Sequence, residues 1–157
     1  MNAAAILGMA GAGVLVVTRA ATAAQDDDRP AEGFPVTYSN QIRRFADAIA
    51  YAEGFYAAGN PIPRRLNNPG DLKASAVPSI GKDASGHLEF ATIADGWEAL
   101  HRQLWLIVVG KSRVYTLDMT LEQMGAKYAE GPTWASNVAQ RLGCGRTATL
   151  RSLLTEG

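Results

Sequence analysis

The sequence predicts a mostly α-helical α+β domain that carries a small β lobe after its first helix. Three observations lead there. Successive segments from Ser39 onward place apolar residues at spacings of three, four and seven, a Pro- and Gly-rich stretch after the first of them has room only for loops and short strands, and no internal repeat divides the chain. At 157 residues with 47% hydrophobic content, the chain has the size of one domain of about 100 to 200 residues with appendages.

The elements follow in order. Ala3 to Val17, AAAILGMAGAGVLVV, carries no charge, and Ala21 to Ala23 form a small-residue site of the kind found where secretory signals are cut. The block is shorter than the roughly 20 residues of a bilayer span. Residues 1–24 are therefore expected to be an export signal, which places the protein in the periplasm or outside the cell. The alternative is an uncleaved membrane anchor, because no cation precedes the block and Arg19 follows it. Residues 25–37, rich in charge, Pro and Gly without apolar periodicity, read as a linker, and the domain is expected over residues 38–157.

Ser39 is an N-cap candidate for a helix that aligns Ile42, Phe45, Ala46, Ile49, Ala50, Glu53 and Tyr56 and is expected to end near Gly59. Pro61 to Thr92 contains four of the seven prolines and excludes a long helix. Its best strand is His87 to Phe90, preceded by the turn sequence GKDASG. Helix resumes from Asp95 to Gly110, apolar all round in LWLIVV and so expected to be central, with Gly110 suited to a left-handed C-terminus. Thr120 and Gln123 form a capping-box pattern for a helix that Gly131 and Pro132 would stop, and two shorter Thr-led helices follow. A cleft between the helical body and the β lobe is the expected ligand site.

Composition excludes several functions. Fifteen basic residues balance fifteen acidic ones without a basic block, so no nucleic-acid partner is expected. The single cysteine, Cys144, makes no internal disulfide, and with only His87 and His101 beside it neither a metal nor another cofactor is expected.

Two features could carry chemistry. Glu53 projects from the apolar stripe of the first helix, eleven residues after Ile42. Burial there would raise its pKa and suit it to general-acid work, unless Arg64 or Arg65 pairs with it. The second is RLNNPGDL, Arg64 to Leu72. Pro69 and Gly70 occupy the middle of a tight turn, where the glycine would supply the positive φ of a type II turn, and Asn67 and Asn68 offer amides suited to holding a sugar or orienting a carboxylate.

Together AYAEGFY, RLNNPGDL, FATIADGWEALHRQL, TLEQMGAKYA and WASNVAQRLGCGRTATL resemble a family of bacterial and phage lysozyme-like proteins, small peptidoglycan hydrolases and transglycosylase-type domains, over Gln41 to Leu154. The resemblance implies a lysozyme-like α+β fold in which Glu53 protonates the glycosidic oxygen between N-acetylmuramic acid and N-acetylglucosamine. Asn67, Asn68 and Asp71 would line the cleft, and Tyr128 would help place the acid or the substrate. The implied partner is the glycan strand of peptidoglycan, and a monomer is expected. No Asp stands nine residues after Glu53, where Ile62 is found, and Asp71, Asp83 and Glu89 cannot be ranked by spacing as a second carboxylate. That absence favours lytic transglycosylase chemistry, which needs one acid and gives a 1,6-anhydro product. A catalytically silent wall-binding or virion structural module of the same fold is the alternative from another class, and a chitinase-type glycosidase is a third. His87 reads as an isolated surface group, Trp97 and Trp105 as core, Trp134 as a candidate for stacking on sugar, and Cys144 as inert.

Overall fold

The computed structural model describes residues 37–129, 131 and 133–156. The expected export segment and all of the linker but Thr37 lie outside the described residues, as does Pro132. The fold is mostly helical with one small sheet, in the order α1 (Asn40–Ala52), α2 (Ile62–Arg65), β1 (Gly81–Lys82), β2 (Leu88–Glu89), α3 (Ile93–Val108), α4 (Leu121–Tyr128), α5 (Trp134–Leu142) and α6 (Leu150–Thr155). Among the described residues no helix is long and apolar enough to cross a membrane.

Ser39 caps α1 by accepting the Ile42 amide, and Ile42, Phe45, Ala46, Ala48, Ile49 and Ala50 are buried against α3, α5 and α6. The helix ends seven residues before the expected Gly59. Gly54 adopts φ 76°, its amide donates to the Tyr51 carbonyl, and the Phe55 amide donates to the Ala50 carbonyl. This pair of bonds is a Schellman motif, which turns the chain off the helix axis at a left-handed glycine. Glu53 thereby becomes the C-cap of α1, while Tyr56 leaves the stripe for the surface and donates to Asp47 Oδ1.

The β lobe is smaller than the sequence suggests. β1 and β2 pair antiparallel with Gly81 opposite Glu89 and Lys82 opposite Leu88, so GKDASG supplies the first strand as well as the turn. In that turn Asp83 Oδ1 accepts the amides of Ser85 and His87, an Asx turn. Among the described residues the other edge of β2 has no third strand. Its donors, the amides of Leu88 and Phe90, bond to the carbonyls of Leu72 and Leu66. Its acceptors, the carbonyls of Leu88 and Phe90, take the side-chain amides of Asn68 and Asn67. The loop after α2 thus replaces a strand and satisfies the edge.

α3 starts two residues earlier than expected, because Thr92 and Asp95 form a capping box, and Gly110 follows the helix with φ 72°. Leu100, Leu104 and Ile107 are fully enclosed at the centre of the domain, whereas Trp97 and Trp105 are half-buried and pack against that core. The Thr120–Gln123 capping box of α4 forms as the sequence predicts. α5 packs on α1, and a backbone bridge between Thr120 and Thr149 ties the start of α6 to that of α4.

Candidate active site

Glu53, at the end of α1, overlooks a cleft of about 1180 Å³ between the helical body and the loop lobe. Asp71 and His87 line its loop side, Tyr115, Lys127 and Tyr128 its helical side, and Gln103 of α3 also faces it. Glu53 Oε1 accepts the indole Nε1–H of Trp134 at 2.7 Å. Trp134 is itself buried at the start of α5 and stacks on Tyr128 with ring centroids 4.7 Å apart. Trp134 therefore fixes the carboxyl and does not present a face to solvent, which removes it as a candidate for stacking on sugar. The proposed pairing of Glu53 with an arginine does not form. Arg64 donates to the carbonyls of Phe55 and Gly59 and lies over the Phe55 ring, and Arg65 points outward as an exposed side chain of α2.

With a neutral indole as its partner, Glu53 is pushed up to about 7 from the ordinary 4.5 by burial. The Trp134 hydrogen bond pulls it back, the Asp71 charge raises it further and His87 lowers it. Near neutral pH the group is thus divided between acid and carboxylate, which is the condition for a general acid.

The NNPGDL segment builds the opposite wall. The Asp71 amide donates to the Asn68 carbonyl and closes the turn around Pro69 and Gly70. The turn is not type II, since Gly70 has no positive φ; the left-handed residues are Asn67 at 52° and Asp71 at 48°. Gly70 is needed instead for close approach. A Cβ there would lie 2.8 Å from Leu100 Cδ1 and 3.1 Å from the Tyr128 hydroxyl, which donates to the Gly70 carbonyl at 2.7 Å. Gly96 serves the same packing from α3, where a Cβ would collide with the Asn67 carbonyl.

The five residues expected at the site separate into two groups. Glu53, Asp71 and Tyr128 face the cleft. Asn68 does not. It is fully buried, its Nδ2 donates to the carbonyls of Leu72 and Leu88 and its Oδ1 accepts the Leu72 amide, so it scaffolds the wall and cannot reach a ligand. Asn67, half-buried, spends its amide on the Phe90 carbonyl. The substrate-contacting role expected of both asparagines is thus corrected, because the edge of β2 needs the amides first.

His87, read from the sequence as an isolated surface group, lies in the cleft wall with Nε2 3.3 Å from Asp71 Oδ2 and Nδ1 3.1 Å from Asp83 Oδ2. Burial raises Asp71 while the His87 charge opposes it, and the hydrogen bond from His87 lowers Asp83. The Asp–x–x–x–His spacing is visible in the sequence, but only the Asx turn makes the pair meet. Among the described residues no group of three or more His, Cys, Asp and Glu is arranged to hold a metal ion.

No family model matches the chain, and neither a curated protein nor a solved structure matches it.

Proposed function

We propose that the chain is a lysozyme-like enzyme that cleaves the bond between N-acetylmuramic acid and N-acetylglucosamine in peptidoglycan, with Glu53 as general acid. The observation that carries this reading is the Glu53 carboxyl itself, held by a buried indole, raised to about 7 and open to a cleft of about 1180 Å³. An acid in that state can give its proton to the glycosidic oxygen as the C1–O bond breaks. The long first helix that ends on the acid, with a small β lobe across the cleft, supports the lysozyme-like reading of the fold.

The sequence pattern favours a 1,6-anhydro product because no second carboxylate is apparent in it. The cleft contains one, Asp71, on the wall opposite Glu53, and we therefore favour hydrolysis. A water would add its hydroxyl to C1 and pass its other proton to Asp71. The transglycosylase reading keeps one observation in its favour: Asp71 Oδ1 is enclosed and Oδ2 lies against His87, which leaves little of the carboxylate to hold a water. In that route the sugar's own 6-hydroxyl attacks C1 and returns its proton to Glu53. Because the substrate lies outside the cytoplasm, this function implies export, for which residues 1–24 are the proposed signal.

Incubation with purified peptidoglycan tests both. Soluble fragments with reducing ends are expected, and Glu53→Gln should release none while unfolding at no lower temperature than the parent. Fragments with 1,6-anhydro ends would select the transglycosylase route, and equal release by Glu53→Gln would remove Glu53 as the acid.

A further inference from the structure

The loop wall is more elaborate than a second carboxylate requires. Each ring nitrogen of His87 faces a different aspartate: Nδ1 hydrogen-bonds with Asp83 Oδ2 at 3.1 Å, and Nε2 lies 3.3 Å from Asp71 Oδ2, within ion-pair distance for a protonated ring. Asp83 is fixed in turn. Its Oδ1 accepts the Ser85 and His87 amides at 2.9 and 2.8 Å, while its Oδ2 takes the His87 ring, so one side chain grips both the backbone and the imidazole of His87. Asp71, by contrast, is a non-glycine residue at φ 48°, a sparsely populated conformation, and its Oδ1 is enclosed without a donor. Left to itself, a carboxylate in such a place would turn toward solvent or take up a proton. His87 Nε2, 3.3 Å from Asp71 Oδ2, supplies the contact that keeps it facing inward.

We propose, building on the glycan-cleaving reading, that His87 is the positioning residue of this cleft: gripped by Asp83, it holds the Asp71 carboxyl aimed at the bond on which Glu53 acts. The row runs from Asp83 through His87 to Asp71 and ends across the cleft from Glu53. Lys73 acts on Asp71 in the same sense as His87, and Asp83 in the opposite sense. Glu53 is faced by the Trp134 indole, the Tyr128 ring, Asp71 and His87, with Lys127 on the rim. The charges that act on Glu53 are those of Asp71 and His87, so Asp83 influences it through them.

The test uses the whole chain and two readouts. The Nε1–H signal of Trp134, bonded to Glu53, reports the ionisation of that carboxyl by NMR without any substrate, and turnover of solubilised glycan strands gives kcat, KM and the pH profile. His87→Gln is expected to lower kcat about 10- to 100-fold with KM within about twofold, and to move the acid limb of the profile to higher pH. Asp83→Asn should act in the same direction by about fivefold, and the double variant should match His87→Gln within about twofold, because both act through one chain. In the indole titration Asp71→Asn lowers the midpoint, and Asp83→Asn displaces it although Asp83 is remote from Glu53. An indole midpoint unmoved by both His87→Gln and Asp83→Asn would overturn the positioning role, as would additive losses in the double variant. If the parent protein cleaves no glycan yet both variants move the midpoint, the clamp stands and the glycosidase reading falls.

Discussion

The two walls of the cleft each present a carboxylate that burial raises, and each surrounds it with different neighbours. Glu53 closes a 13-residue helix, is fixed by a Schellman turn, and meets a neutral indole but no cation, so burial dominates and the group rises to about 7. Asp71 sits on a loop at positive φ, and His87 and Lys73 oppose the effect of burial on it. Asp83, one link further out, is lowered outright by its hydrogen bond from His87. A helical wall thus raises its carboxyl by burial beside a neutral donor, and a loop wall sets cations against the same effect of burial.

The sharpest way to break this contrast is Glu53→Gln. Glycan cleavage should fall at least about 10³-fold, the scale of removing an acid on which the chemistry depends. Stability should move the other way. Because the folded value, about 7, lies above the ordinary 4.5, the folded chain binds more protons than the unfolded one, and stability declines as pH rises from about 4.5 through 7 before it levels off. An ionised Glu53 costs the fold at most about 3 kcal/mol. Urea unfolding of Glu53→Gln should lack this decline and show a higher midpoint than the parent at pH 8. A parent with the same stability at pH 5 and pH 8 would mean that burial does not raise the carboxyl of the helical wall at all.

On the loop wall the largest stability effect is expected at Asn68. Its replacement by Ala leaves the carbonyl of Leu88 and the amide of Leu72 without that partner and takes one of two donors from the carbonyl of Leu72, a loss of about 2 to 4 kcal/mol. Asn67→Ala, which frees one carbonyl at a half-buried site, should cost about 1 kcal/mol. Equal losses at the two positions would show that the loop is not organised around the buried amide. Trp134→Phe probes the helical wall at a smaller scale. It keeps an aromatic ring against Tyr128 but removes the donor that favours ionised Glu53, so the alkaline limb of the pH–rate profile should move upward, with about 1 kcal/mol of stability lost.

The helical wall was the more legible of the two in the sequence. Period-three-and-four spacing locates α1 and puts Glu53 on its buried side, and the capping pair at Thr120–Gln123 is a local pattern that holds in the fold, whereas the Thr92–Asp95 box starts α3 before the Asp95 expected of it. What periodicity misses is where α1 stops, since Tyr56 fits the stripe and the Schellman bonds are a property of Gly54 alone. The loop wall hides more. That Asn67 and Asn68 serve a strand edge depends on β2, about 20 residues on, and Trp134 meets Glu53 across 81 residues of chain. Asp71 and His87 join through a turn whose geometry no hydrophobic pattern records. Contacts at such separation have no local signature, which is why a second carboxylate looks absent from the spacing and is present in the cleft.

The finest comparison sets Gly54 against Gly86. Both are left-handed, at φ 76° and 86°, and an added Cβ meets nothing within 4 Å at either, so Ala at either site carries backbone strain and no clash. Each substitution should cost about 1 kcal/mol, measured by urea unfolding. Their effects on catalysis should differ by wall. Gly54→Ala loosens the turn that fixes Glu53 as the C-cap and should disturb the alkaline limb, which the acid governs. Gly86→Ala strains the Asx turn next to His87 and, on the roles proposed above, should disturb the acid limb, assigned there to Asp71. Two variants alike in stability yet opposite in pH profile would assign one limb to each wall; the same displacement in both would mean that the walls do not act separately.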